Sequence, residues 1–266
     1  MVEKKSFLER FYVGIIFFLL YAPLMILTVC SFNASKSRMV WGGFTLDWYA
    51  ALFRDAEVIQ AFQNSLVLTT AAALIATLLG AMACIGLTAM SKKAQSAAAT
   101  VTNIPLLNAD IVTGIALMLL FVRFMNLGFS SLLVAHVTLT LPYVILSVMP
   151  KLKQTNKAAY EAALDLGATP VYAFFKIVLP EILPGILSGF LLAFTMSLDD
   201  FVITYFTKGP GINTISTMIY QQVRRGINPE MYALSTLLFL TILIILLVVN
   251  HISDRQAKRQ EQLYKY

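Results

Sequence analysis

Polar residues fall in clusters along this chain, and between them run apolar stretches of about 20 residues, the length an α-helix needs to cross roughly 30 Å of hydrocarbon. Six such runs stand out, at residues 11–31, 65–90, 101–124, 131–149, 182–206 and 231–252. They predict an all-α membrane protein with six transmembrane helices, since a helix satisfies its own backbone where no water can. The first run follows Lys4, Lys5 and Arg10 as a signal peptide would, but it is long and has no small-x-small cleavage site. It is read as an uncleaved first span.

Punctuation between the runs predicts further elements. In "MVWGGFTLDWYAALF" (39–53) a Gly-Gly turn precedes Thr45, which is placed to cap a short helix, and Trp41, Trp48 and Tyr49 suit the lipid interface or a surface near an outside partner. In 208–234 a Gly-Pro-Gly turn leads to a helix over Ser216–Arg225, stopped by Gly226, with Asn228-Pro229 opening the sixth span. No repeat of 20 to 50 residues occurs, and the tail from residue 253 onward reads as a solvated extension of the last helix.

Composition agrees: 58% of residues are hydrophobic and 13% charged, which places the chain in a bilayer. The net charge of +6 would suit nucleic acid, but the cations sit beside the ends of the apolar runs, so no nucleic-acid partner is expected. With six spans, thirteen Lys and Arg fall on the side of the termini and seven on the other, so both termini are expected in the cytoplasm. Cys30 and Cys84 sit toward opposite faces and are expected as free apolar fillers.

The loop before the fifth span, residues 154–180, is punctuated at every joint. Residues 154–166 read as a helix in which Ala158, Ala159, Ala162 and Ala163 surround Glu161, and Gly167 ends it in the left-handed conformation. Thr169 caps a second short helix with Pro170 in its first turn, carrying Tyr172, Phe174, Phe175 and Ile177, and Pro180 is expected to stop it. Two short helices at a sharp angle present aromatics where solvent would otherwise lie. They suit a helix resting on the inner leaflet or a rigid knob seated in a groove of a cytoplasmic protein.

"EAALDLGATPVYAFFKIVLP" (161–180) resembles the EAA loop of ABC importer permeases, the binding-protein-dependent inner-membrane components. That pattern is E-A-A, three residues, G, nine residues, I-x-L-P, and Glu161, Ala162, Ala163, Gly167, Ile177, Leu179 and Pro180 are in register. "NSLVLTTAAALIATLLGAMA", "NADIVTGIALMLLF", "FTMSLDDFVITYF" and "NPEMYALSTLL" follow in the order of the spermidine/putrescine importers of that family. The resemblance implies a type I (MetI-like) permease fold with coupling helices: residues 1–63 as the first span and outer loop, 64–252 as a five-helix core, and 253–266 as a cytoplasmic tail. It implies no catalysis and no cofactor in this chain, since ATP and Mg would be bound by a cytoplasmic ATPase dimer. A second homologous permease and an extracellular or periplasmic substrate-binding protein are the other implied partners. The absence of a G-x-x-x-x-G-K-[ST] phosphate cradle fits that division.

Carboxylates within spans are costly and mark pathways or partners. Asp199 and Asp200 lie about 27 Å along a helix from Glu181, in the outer part of the fifth span, and Asp110 about nine residues into the third. A polyamine path calls for carboxylates or aromatic faces and no metal cage, so these three are the pathway candidates, one of the adjacent pair serving to fix the helix. Capped helix ends and structural hydrogen bonds are the plainer alternatives. His136 is expected as a neutral histidine bonded within the bundle, and Arg123 as snorkelling to the headgroups. The competing functions are an importer permease for another organic ion or ferric iron and an ion-coupled carrier. The latter would show repeated halves with broken helices and give the punctuated loop no purpose. An intramembrane aspartyl protease would need a G-x-G-D turn that the sequence lacks.

Overall fold

A computed structural model of the chain describes residues 7–35, 40–225, 229–244 and 247. Lys4, Lys5, Lys36, Arg38, Gly226, Asn228, the end of the sixth run and the tail 253–266 lie outside the described residues. The helices are α1 (Phe7–Ser31), α2 (Asp47–Leu52), α3 (Ala56–Thr88), α4 (Lys92–Leu107), α5 (Asp110–Phe124), α6 (Phe129–Gln154), α7 (Lys157–Asp165), α8 (Pro170–Ala173), α9 (Leu179–Asp199), α10 (Val202–Thr207) and α11 (Ile215–Arg225). A further apolar helix, α12, covers Pro229–Ile244. Four described helices are long and apolar enough to span a bilayer, or five if α4 and α5 are taken as one bent span.

The chain divides into two compact units, one of residues 1–59 with 218–244 and one built on 60–217. In the first unit α1 exposes its apolar surface all round, as a lipid-facing helix does. Its end is tied to the following loop: the Trp48 indole donates to the Asn33 carbonyl at 2.8 Å, and the hydroxyls of Tyr49 and Ser31 lie 2.7 Å apart. Trp48 and Tyr49 therefore spend their polar ends on the protein, while Trp41 stays exposed. Thr45 Oγ1 accepts from the Asp47 amide at the start of α2.

The core of the second unit sits between α6 and α9. Small residues on α9 (Gly185, Gly189, Ala193) recur one turn apart, and a Cβ added at Gly189 would come within 3.2 Å of the Val144 backbone on α6. Close backbone approach between small residues is how helices gain packing where lipid offers no hydrophobic driving force. Cys84, Val144, Val148 and Ala193 fill the seam, and both cysteines are free.

Four expectations are corrected. The third run is not one straight span: α4 and α5 meet at a 105° bend. Pro105 removes a donor near the end of α4, and Asn108 and Ala109 are extended, with Asn108 Nδ2 donating to Thr113 Oγ1 at 3.0 Å. Asp110 thus opens a helix and does not sit inside one. The helix of the fifth run ends at Asp199, and α10 starts anew at Val202, after a break of two residues, because Asp200 turns its carboxylate onto the Ile203 and Thr204 amides. Pro180 does not stop the helix of the 154–180 loop. Helix continues from Pro170 to Asp199 through a π-helical turn at Phe174–Val178, where the Leu179 amide bonds the Phe174 carbonyl. The wider turn takes up the donor the proline lacks. Upstream, Gln154 belongs to α6, and α7 begins only after Asn156, whose side chain accepts from the Ala158 amide.

Candidate functional site

The elbow between α7 and α8 is built from local chemistry. Gly167 has φ +85°, which a Cβ would strain, and the Ala168 and Gly167 amides return to the Ala163 and Leu164 carbonyls, closing the end of α7 in a Schellman motif. Thr169 Oγ1 accepts from the Tyr172 amide, and Pro170 fills the first helical position. A longer bond anchors the elbow, from the Asn156 amide to Glu181 Oε2 on α9 at 3.3 Å.

This scaffold turns apolar side chains outward. Leu166 is 89% exposed, and Val171, Tyr172 and Phe175 are each more than half exposed. Phe174 packs edge-on against Phe175 with ring centroids 5.4 Å apart, and Ala173 beneath them is fully buried. Glu161, Ala162, Thr169, Pro170 and Pro180 are exposed, while Ala163, Ile177 and Leu179 are half-buried. The pattern thus assembles an outward apolar face on a backbone held at both ends. Leu166, the most exposed large residue of the elbow, lies outside the residues the motif pattern marks. Its place just before the helix-stopping Gly167 is the signal that would have found it, since a residue at the end of a short capped helix has few neighbours.

At the far end of α9 the arrangement is reversed, with polar side chains inside. His136 on α6 is fully buried; its Nδ1 lies 2.8 Å from Ser197 Oγ on α9 and its Nε2 2.9 Å from Thr204 Oγ1 on α10. Asp200 accepts from the Ile203 amide, the Thr204 amide and Thr204 Oγ1, and its carboxylate stands 3.8 Å from His136 Nε2. Its side chain is 8% exposed, whereas Asp199 and Asp110 are exposed. Asp110 opens α5, one turn before Gly114. α5 packs closely on α10: a Cβ at Gly114 would meet the Phe206 ring at 3.0 Å. Three aromatics follow the acidic pair, with the Tyr205 ring 5.6 Å from both Phe201 and Phe206. The three candidate aspartates therefore gather round one break in the helices, two facing outward and one turned in. His136 is bonded within the bundle as expected, but its partners on α9 and α10 come from 61 and 68 residues away, which no sequence window joins. Among the described residues, no three of His, Cys, Asp and Glu come together in a group that would hold a metal.

An all-helical bundle with a capped, apolar elbow beside a span has the fold of an ABC importer membrane subunit. The permease chain of a bacterial importer of the acidic polysaccharide alginate matches it with a TM-score of 0.72 over 91% of this chain and 92% of that one, at 20% identity. The methionine ABC transporter MetNI in an inward-facing conformation matches with a TM-score of 0.64 over 80% of this chain and 99% of that chain, at 17% identity. Residues 76–266 match the family of binding-protein-dependent transport system inner membrane components. The chain belongs to that family, and so is a multi-pass inner-membrane permease subunit of a transport system, not an enzyme. It is 38% identical to the putrescine transport system permease protein PotI of Escherichia coli (strain K12), over 92% of this chain and 90% of the relative. To the spermidine/putrescine transport system permease protein PotC it is 35% identical in Escherichia coli (strain K12), covering 90% of this chain and 91% of the relative. The Haemophilus influenzae PotC is 36% identical, over 95% and 98%.

Proposed function

We propose that this chain is one half of the membrane pathway of an ATP-driven importer for polyamines, spermidine and putrescine. The observation that carries the transport reading is the elbow: exposed Leu166, Val171, Tyr172 and Phe175 on a backbone closed by Gly167 and capped by Thr169. Apolar side chains held rigidly in the open are a docking knob, because a pre-ordered contact loses little entropy on binding and can transmit a push. The polyamine reading is supported by the putrescine and spermidine/putrescine permeases among its relatives, and by carboxylates beside aromatic faces at the α9–α10 break.

In this reading six spans leave both termini and the elbow in the cytoplasm, where the elbow seats on one subunit of an ATPase dimer that binds ATP and Mg. A second, homologous permease completes the pathway, and a binding protein outside delivers substrate. ATP binding closes the ATPase dimer and drags both elbows, so the two bundles turn and the path opens outward; hydrolysis resets it. Asp110 and Asp199, with Asp200 behind them, attract the ammonium groups without trapping them, since release requires weak binding.

The test is ATP-dependent uptake of radiolabelled putrescine and spermidine by the complete transporter in vesicles, with this chain present and absent. Uptake that needs this chain, the ATPase and the binding protein together supports the proposal. Uptake by this chain without the ATPase overturns it, and transport of ferric iron or another organic ion in place of polyamine overturns the substrate reading alone.

A further inference from the structure

We propose that His136 is a positioning residue for transport, clamping the break between α9 and α10 and so setting how Asp199 and the aromatic face of α10 meet a passing cation. The inference rests on the reading that these residues line the substrate path. Helix stops at Asp199 and resumes at Val202, so the chain alone leaves the direction of α10 loosely determined. His136 comes from a third helix and uses both ring nitrogens on the two sides of the break, Ser197 before it and Thr204 after it.

The chemistry gives this contact a direction. Asp200 receives two backbone amides and one hydroxyl, the pattern of an acceptor-only carboxylate. Thr204 therefore spends its single proton on Asp200 and must accept from His136 Nε2–H. The other ring nitrogen, Nδ1, is then an acceptor and takes the Ser197 hydroxyl proton. The Ser197 oxygen has Thr69 Oγ1 of α3 at 3.4 Å as its remaining neighbour. The relay thus runs Ser197, His136, Thr204, Asp200, each group donating to the next across three helices. Ser197, His136, Thr204 and Thr69 are all buried, and the space they share with Ser65, Leu68 and Thr214 is packed tight.

A chain of buried polar groups adds little to stability over an apolar filling of the same shape, but its bonds are directional. Here the direction is passed on. Phe206 and Ile203 of α10 press against Gly114 of α5, one turn from Asp110, so a turn of α10 moves both flanks of the acidic cluster.

The experiment measures putrescine uptake per assembled transporter for His136→Leu, His136→Gln, Thr204→Val and the His136→Leu/Thr204→Val pair, with the binding protein and ATPase present. His136→Leu raises KM roughly five- to tenfold, and the double variant is no worse than His136→Leu alone, because both substitutions cut one relay. His136→Gln, which keeps a donor toward Thr204, restores at least half of the loss. A merely structural histidine lowers the amount assembled and leaves KM per molecule unchanged, and that result overturns the proposal, as does additivity in the double variant. If His136→Leu does not assemble, Thr204→Val and His136→Gln read the same KM, and wild-type values in both overturn it equally. Asp110→Asn and Asp199→Asn serve as the separate control. Wild-type KM in these two with non-additive coupling of His136 and Thr204 sinks the carboxylate reading and keeps the clamp, and raised KM in these two with additive coupling does the reverse.

Discussion

Two regions at opposite ends of the α8–α9 helix put their side chains in opposite places. At the elbow, Leu166, Val171, Tyr172 and Phe175 are apolar and outside; at the α9–α10 break, Ser197, His136, Thr204 and Asp200 are polar and inside. Each arrangement runs against the cheapest choice. Leaving a large apolar side chain in the open forgoes about 1.5–3 kcal/mol of burial, and burying a polar group costs free energy unless a partner takes its hydrogen bond. The inner site offsets its cost within the chain, since each of those four residues has a bonded neighbour. Among the described residues the elbow has no such internal partner for its exposed face, and its cost is recovered when another surface covers it. One region is thus a finished piece of the bundle, and the other, on the proposed reading, is half of a joint.

The largest effect on this contrast is expected from reversing the polarity of the elbow. Phe175→Asp combined with Leu166→Asp places charge where an apolar contact forms, and buried anchors of this kind carry roughly 2–4 kcal/mol each. Uptake should fall below about a tenth of wild type, and the ATPase should no longer co-purify with the membrane subunits. Retention of the elbow on anionic vesicles with normal ATPase capture would instead mark it as a lipid-facing helix.

A smaller and more selective effect is expected from the π turn. Deleting Lys176 removes one residue from the wide turn and rotates α8 by about 100° relative to α9. Both ends of the joint then survive but no longer point the same way. The ratio of ATP hydrolysed to putrescine taken up should rise several-fold while the complex still assembles; an unchanged ratio would show that the orientation of α8 does not matter.

The smallest effects belong to the caps. Gly167→Ala forces a side chain into φ +85° at a cost of about 1–2 kcal/mol, with open space around the new Cβ, so strain is the whole effect. Thr169→Ala loses the bond to the Tyr172 amide, worth about 1 kcal/mol, and Thr169→Ser should restore it. Local unfolding read by amide exchange in α7 and α8 should increase most for Gly167→Ala and less for Thr169→Ala, with uptake reduced modestly, and exchange at the α9–α10 break should not change.

The two regions also differ in how legible they are along the chain. Gly167, Thr169 and Pro170 announce the elbow because helix stops and caps act within four residues, a range that any reading of neighbours covers. The same local rules mislead at Pro180, where a π turn absorbs the missing donor, and at Asp110, where a span that looks continuous in hydropathy is bent through 105°. Hydropathy measures how well a segment suits lipid, not whether its backbone stays in one line. His136 reads as bonded somewhere within the bundle, but Ser197 and Thr204 carry no mark that makes them its partners.

What the order of residues determined by itself is the class of this protein and the places where its chain turns: apolar run lengths, flanking cations and cap chemistry are short-range quantities. What only the tertiary structure decided is which polar groups share the interior, that Asp200 turns inward while Asp199 faces out, and that the elbow's apolar face is left exposed among the described residues. Those depend on helices distant in sequence arriving side by side, and packing in three dimensions selects among partners that every local rule leaves equal.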